Sequence, residues 1–379
     1  MIHPLPDPTS FLTEVFDQLA ELKLDVSALS VDHLCYRVES MRRYFELREA
    51  IAASGHQLIN ESVVNGRLIS CFRLSAPIIF QNREIPLLEL PAPKAGSHYV
   101  EGYEHLEFVV GSKLEEWQQK LLAIENQEKL KKDISKGSGE MEQFEENSDL
   151  RKSTFNPSIS LKLGKGLRVK FHERPLDEVI AFEQETDILP PTNIAIFVSG
   201  TGSNARVMID RFKDHNRIRV ALLVSNKRKA PALMMAAERG VPTLVVGRNQ
   251  FYDQPDFLLN ELGRFHIQFI VLAGFLWLIP AYLIRAYPKK MVNIHPALLP
   301  KYGGKGMYGM HVHRAVAEAG ETESGLSIHY VNEQYDEGNI IFQARTRLLP
   351  EDGPEEIASK VLKLEHEHYG QIVEDIITG

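Results

Sequence analysis

Asn193-Ile194-Ala195-Ile196-Phe197-Val198-Ser199-Gly200-Thr201-Gly202-Ser203-Asn204 decides the fold of the second half of this chain. Its apolar run has no polar alternation, as expected of a strand covered on both faces. The run leads straight into a glycine-rich turn, and a helical pattern follows. Val220–Val224, Leu244–Val246 and Phe269–Ala273 are runs of the same kind, with helical segments such as Ala230–Arg239 between them. This β-α-β-α rhythm predicts an α/β unit built on a doubly wound, mostly parallel sheet. A last helix is predicted from about Pro354. Ile357, Val361, Leu364, Ile372 and Ile376 form its apolar face, and Asp352 and Glu355 are read as its capping box.

The turn itself carries chemistry. Backbone N–H groups exposed at a helix N-terminus, where the helix dipole is positive, cradle a phosphate. Gly202, Ser203 and Asn204 sit at that point, and the last two add side-chain donors. The third glycine of a dinucleotide fingerprint is missing, and so is the Gly-Lys-Ser/Thr of a nucleotide triphosphate loop. The expected ligand is therefore a single phosphate monoester.

A second cluster is Asn293-Ile294-His295-Pro296, at the end of an apolar strand. Period two puts Asn293 and His295 on one face at the carboxyl edge, where open α/β sheets bind ligands. A primary amide beside an imidazole suits a developing oxyanion. Asp336, in Tyr335-Asp336-Glu337-Gly338, is expected to pair with His295 and raise its pKa, keeping it protonated near pH 7.

The first half reads differently. A helix is expected from about Ser10 to Lys23. Strands are expected at His33–Val38, Leu68–Leu74, Ile85–Leu90, Leu106–Val110, Ser158–Leu163 and Leu167–His172, and a closing helix near Leu176–Glu185. Residues 123–154 are charged and poor in apolar side chains, and are read as an excursion from the fold. The domains are expected at 1–186 and 193–379, with residues 187–192, including Pro190-Pro191, as an extended linker. Val31–Val38 (VDHLCYRV) and Tyr103–Val110 (YEHLEFVV) are versions of one another, which suggests two copies of one small α/β module. His33 and His105 occupy equivalent positions in the repeat, and Glu89 and His172 also interrupt apolar strands. These four residues suit an open divalent-metal site; the competing reading is a set of polar groups on a solvated sheet face.

Composition bounds the rest. Of the 379 residues, the first 190 carry 22 Lys and Arg against 31 Asp and Glu; the remainder carry 21 against 20. Neither half has the basic excess of a nucleic-acid binder. Two cysteines, Cys35 and Cys71, exclude a disulfide framework. With no apolar run long enough for a bilayer and no signal-like start, a cytoplasmic protein without membrane partners is expected.

Two resemblances extend this reading. The motifs SGTGSN, SNK, LAGFLWLI, NIHPALLPKY, SGLSIHYVNEQYDEGNII and LEHEHYG, within 193–379, resemble the phosphoribosylglycinamide formyltransferase family. The resemblance implies a Rossmann-like sheet and formyl transfer from the co-substrate 10-formyltetrahydrofolate to the amine of 5'-phosphoribosylglycinamide, in de novo purine synthesis. It implies Asn293, His295 and Asp336 as the catalytic trio, and Gly202, Ser203 and Asn204 at the phosphate. Glu365 falls near the ribose, and Leu276, Trp277, Leu278, Ile279 and Asn293 at the folate. Trp277 stands where an arginine is commoner. Gln254 stands near a folate-binding arginine, for which Arg248 is a substitute. The glycine-rich loop Lys301–Val312 is longer than in shorter relatives and is expected to act as a lid. The alternatives weighed are a formyltetrahydrofolate deformylase, which shares the trio, and a non-catalytic regulatory fusion. DHLCYRV, LLELPAP, EGYEHLEFVV and VKFHERPLDEVIAFEQ, within about 8–185, resemble the YecM-like members of the vicinal-oxygen-chelate superfamily. That resemblance implies an α+β domain of paired βαβββ modules and puts His33, Glu89, His105 and His172 in its cleft.

Overall fold

The computed structural model of the chain describes residues 3–64, 67–94, 97, 99–135, 156–185 and 190–379. It divides into two compact units, Met1–Leu189 and Pro190–Gly379. Of the expected linker 187–192, residues 187–189 lie outside the described residues, and Thr192 already belongs to a strand.

In the first unit, helix α1 (Thr9–Glu21) precedes β1 (Ser30–Arg37), α2 (Met41–Ala53), β2 (Gln57–Val64), β3 (Arg67–Phe80) and β4 (Arg83–Pro91). β1 pairs parallel with β4, while β2, β3 and β4 pair antiparallel in sequence, so these elements form one βαβββ module. β5 (Gly102–Val109), α3 (Leu114–Ser135), β6 (Ser158–Lys162) and β7 (Arg168–His172) repeat the plan as βαββ among the described residues. Antiparallel pairing of β1 with β5 joins the modules into one sheet, ordered β2-β3-β4-β1-β5-β7-β6. The helix α4 (Leu176–Glu185) has the limits that its sequence predicts. The charged excursion does not begin at residue 123. α3 continues to Ser135 because Leu, Glu, Gln and Lys are strong helix formers whatever their charge. The rest of the excursion, 136–155, lies outside the described residues.

One face of this sheet is apolar. Leu34, Leu88, Leu106, Phe108, Val169 and Phe171 are buried there. Phe16 of α1 meets Phe108 at 6.0 Å between ring centroids, and Trp117 of α3 stacks on Phe171 at 5.0 Å. A polar knot fastens α2: Glu61 accepts from Arg48 at 2.9 Å, Ser70 at 3.1 Å and Tyr44 at 3.3 Å.

The second unit is a seven-stranded sheet. Its strands are β8 (Thr192–Val198), β9 (Ile218–Ser225), β10 (Thr243–Val245), β11 (Phe269–Leu272), β12 (Met291–His295), β13 (Glu323–Tyr330) and β14 (Ile340–Arg347), in the order β10-β9-β8-β11-β12-β13-β14. β8 to β12 are parallel, and β13 and β14 are antiparallel additions. The chain winds outward from β8 to β10, then returns to β11 on the other side of β8. That reversal leaves a crevice at the carboxyl ends of β8 and β11. Helices α5 (Ser203–Phe212), α6 (Pro231–Glu238), α7 (Arg248–Tyr252), α8 (Pro255–Arg264), α9 (Ala281–Ala286) and α10 (Met310–Glu318) lie between strands. α11 (Pro354–Thr378) closes the unit, and its Tyr369 hydroxyl donates to the Leu272 carbonyl at 2.8 Å. Its cap differs from the expected one. Gly353 is the N-cap and its N–H donates to Glu356 at 3.0 Å, whereas Asp352 accepts from Leu349 and Lys360.

Glu61→Ala removes the buried acceptor that Arg48, Ser70 and Tyr44 share, while Arg48 keeps Glu49 at 2.9 Å. The expected loss is about 1–3 kcal/mol, read as an earlier urea transition of the first unit against an unchanged second one.

Candidate functional site

The crevice of the second unit is a cleft of about 850 Å³. Gly202, Ser203, Asn204, Leu276, Trp277, Leu278, Ile279, Asn293, His295, Asp336 and Glu365 all line it. At one end the β8–α5 turn presents its backbone. Gly202 caps α5 with φ +73°, and a Cβ there would lie 2.6 Å from the Ala232 Cβ. Only glycine fits both restraints. Asn204 donates to Glu365 at 2.7 Å, which brings α11 to this end of the cleft. Burial pushes the Glu365 carboxyl up, and the Asn204 hydrogen bond opposes it. Farther along, Phe275 and Trp277 pack against Phe251 at 5.4 and 5.3 Å between centroids, giving the cleft an aromatic wall.

At the base, β12 carries Asn293 and His295 on one face. His295 Nδ1 lies 3.4 Å from Asp336 Oδ2, and its Nε2–H donates to the Tyr302 carbonyl at 2.8 Å. Asn293 Nδ2 lies 3.2 Å from His329 Nε2 and 3.4 Å from Asp336 Oδ1. The Gly304 N–H donates to Asp336 Oδ2 at 3.0 Å, so the glycine-rich loop is rooted in the same carboxylate. Gly304, Lys305, Gly306, Met307 and Tyr308 of that loop line the cleft.

The electrostatics correct one expectation. Burial lowers the His295 pKa below 6.5 and outweighs the upward pull of Asp336 and the Tyr302 carbonyl; His329 adds to the lowering. The balance favours the neutral ring. Burial pushes Asp336 up, but His329, His295 and the Gly304 N–H together hold it below the usual carboxylate range. Neither Arg248 nor Gln254 lines the cleft among the described residues, and the Arg248 guanidinium sits over the Tyr252 ring at 5.0 Å.

In the first unit, β-register gathers the polar interruptions. His33 is opposite Glu107 and Glu107 is opposite Lys170; Cys35 is opposite both His105 and Glu89. These are neighbouring rows on one face. His33 Nε2 lies 3.3 Å from Glu107 Oε1 and 4.0 Å from Glu89 Oε2. His105 Nε2 lies 2.9 and 3.6 Å from the same two oxygens. Ligand atoms of His33, Glu89, His105 and Glu107 thus lie together. His172 stands to one side. Its Nδ1 meets the Arg174 carbonyl at 2.5 Å, and its Nε2 lies 3.3 Å from Asp32 Oδ2 and 3.6 Å from Glu107 Oε2.

Comparison with known proteins agrees with the division of the chain. A family model described as "Formyl transferase" matches residues 192–373, and one described as "YecM protein" matches 4–183. The chain is 43% identical over 185 residues to the chloroplastic phosphoribosylglycinamide formyltransferase of Arabidopsis thaliana, and 41% identical over 187 residues to that of Vigna unguiculata. In each case the match takes 48% of this chain and spans 63% and 59% of the respective relative. It is 33% identical over 190 residues to phosphoribosylglycinamide formyltransferase of Haemophilus influenzae, across 49% of this chain and 87% of that one. The chain belongs to the phosphoribosylglycinamide formyltransferase family. It does so through its second unit, while its first carries the YecM match.

Within that family frame, three residues escaped the sequence reading. His329 is cross-strand from Asn293, and its signal was an imidazole inside the apolar strand Leu326–Tyr330. Glu107 and Lys170 each stand two residues from a histidine already singled out, on the same strand face.

Asp336→Asn removes a group that raises the His295 pKa. The ring, titrated by nitrogen NMR, is expected below 6.5 in the wild type and lower still in the variant; an unchanged or higher value contradicts the pairing. Both pKa values are depressed by folding. Their contribution to stability is present above the unfolded values and is lost as pH falls through the folded ones.

Proposed function

We propose that the second unit transfers the formyl group of 10-formyltetrahydrofolate to the amine of 5'-phosphoribosylglycinamide. What carries the reading is the meeting, in one cleft, of an anion-binding turn, an apolar aromatic wall and an Asn293–His295–Asp336 cluster. Gly202, Ser203 and Asn204 hold the phosphate at the α5 N-terminus, and Glu365 receives the ribose hydroxyls. Leu276, Trp277, Leu278 and Ile279 lie against the pterin. Holding both substrates in contact removes much of the entropic barrier to direct attack.

The amine attacks the formyl carbon and charge develops on the formyl oxygen. The Asn293 N–H that Asp336 holds at 3.4 Å is the weaker of its two bonds, and it turns to that oxygen. His295 is flanked by a carbonyl and a carboxylate, so its imidazolium becomes favourable when a negative oxygen arrives beside it. That interaction is stronger in the transition state than in the ground state. Asp336, ionised, orients a water that relays the amine proton to His295 Nδ1, which makes the imidazolium. The C–N bond to the folate N10 then breaks, and the same proton passes from His295 through the water to N10.

His295→Ala and Asp336→Asn are each expected to lower kcat by about 10²–10⁴-fold with little change in KM. Tetrahydrofolate release is followed with and without the ribonucleotide; release that does not need the amine would mean the hydrolase reading instead.

For the first unit, we infer that His33, Glu89, His105 and Glu107 hold a divalent cation. Their separations of 2.9–4.0 Å bracket the edge of about 3.4 Å of a tetrahedron with ~2.1 Å bonds. His33 Nε2 is buried without a hydrogen-bond partner; burial disfavours a proton on the ring but Glu107 and Asp32 outweigh it, so an ion bound there would displace that proton. An ion there would supply Lewis acidity to an oxygen ligand. Elemental analysis of tag-free protein is expected to find about one divalent ion per chain, lost in His33→Ala; metal-free protein after growth and dialysis in zinc, cobalt and manganese removes the assignment.

A further inference from the structure

The cluster already contains a cation. Lys170 extends from β7 across Glu107, and its Nζ lies 2.6 Å from Glu107 Oε1 and 3.0 Å from His105 Nε2. Those two atoms belong to the set that the metal reading assigns as ligands. Glu107 Oε1 is then the acceptor of the ammonium and the near neighbour of both His105 Nε2 and His33 Nε2. The lone pair of Glu107 Oε1 that accepts the ammonium at 2.6 Å is not available to an ion while Lys170 stays in place. An ammonium and a dication sharing that oxygen would also repel one another in a site shielded from water.

Lys170 is the most exposed member of the cluster. Its side chain is 19% exposed, against 3% for His33 and His105, 13% for Glu89 and 11% for Glu107. It also stands on a stem of four methylenes with several rotatable bonds. It can withdraw without any strand moving, whereas the histidines are fixed by the register of β1 and β5.

We propose that Lys170 is a resident cation that keeps the two glutamates and two histidines assembled in the metal-free protein, and that it must swing out for a divalent ion to enter. The ammonium and the metal are alternative occupants of one site. The proposal rests on the metal reading of the first unit and adds to it a residue that opposes loading. Its physical content is a competition: the free energy with which Lys170 holds Glu107 is subtracted from the affinity for the ion.

The test uses the full chain, stripped of metal, and cobalt(II) alone as the probe. Cobalt reports both affinity, by calorimetry, and coordination, by its visible absorption. Lys170→Met keeps the stem length and removes the charge. It is expected to bind cobalt at least tenfold more tightly than wild type, with the same tetrahedral absorption. Equal or weaker binding by a folded Lys170→Met overturns the competition while leaving the metal reading in place. Binding by neither protein overturns the metal reading, and the competition with it. Should Lys170→Met fail to fold, the wild type decides the matter through a crystal structure with cobalt bound. Lys170 Nζ withdrawn from Glu107 supports the proposal, and Nζ still within hydrogen-bond distance of Glu107 Oε1 beside the ion overturns it.

Discussion

The chemistry of the second unit depends on one constraint. Parallel strands all end at the same edge of the sheet, and a sheet wound outward in both directions from a central pair must open at that pair. Here the pair is β8 and β11. The anion-binding turn follows β8, the segment Phe275–Ile279 follows β11, and Asn293 and His295 end β12. The cleft is not carved into a finished fold. It is the place that the winding leaves unfilled, and residues far apart in sequence meet there because the strand order puts them side by side.

The first unit solves a similar problem by register instead of winding. Its cluster comes from four neighbouring strands, β4, β1, β5 and β7, whose side chains alternate between an apolar face and a polar one. The apolar alternates Leu34, Leu106 and Phe171 are buried under helices, while their neighbours in sequence build the polar cluster. Register makes the cluster demanding. A slip of one residue in β5 would exchange His105 and Glu107 for Leu106 and Phe108.

How much of this was legible follows from which interactions are local. The apolar runs of β8, β9 and β11 declare themselves because burial on both faces leaves no alternation to interpret. Asn293 and His295 were readable from period two. α2 was not, because it leans on the buried Arg48 and its polar knot, and nothing local in Met41–Ala53 gives Arg48 away as an inward residue. The charged continuation of α3 was missed for the opposite reason: helix propensity carried on where apolar periodicity stopped. His329 needed the β12–β13 pairing, and Lys170 needed the β5–β7 pairing, neither of which can be read along the chain. The protonation of His295 was misjudged because sequence displays the carboxylate partner but not the depth of burial, and here burial is the larger effect.

The hydrogen bond from Asn204 to Glu365 spans 161 residues, from the first helix of the second unit to its last. In terms of biosynthesis, this sets an order of events. The phosphate turn at residues 199–204 is translated long before Glu365. The cleft closes at that end only when α11 has docked, with Tyr369 reaching the backbone of β11. A nascent chain stalled before residue 365 can complete its first unit while the second has most of its sheet and no finished site. The docking of α11 therefore completes the fold of the second unit and the end of its cleft in one event.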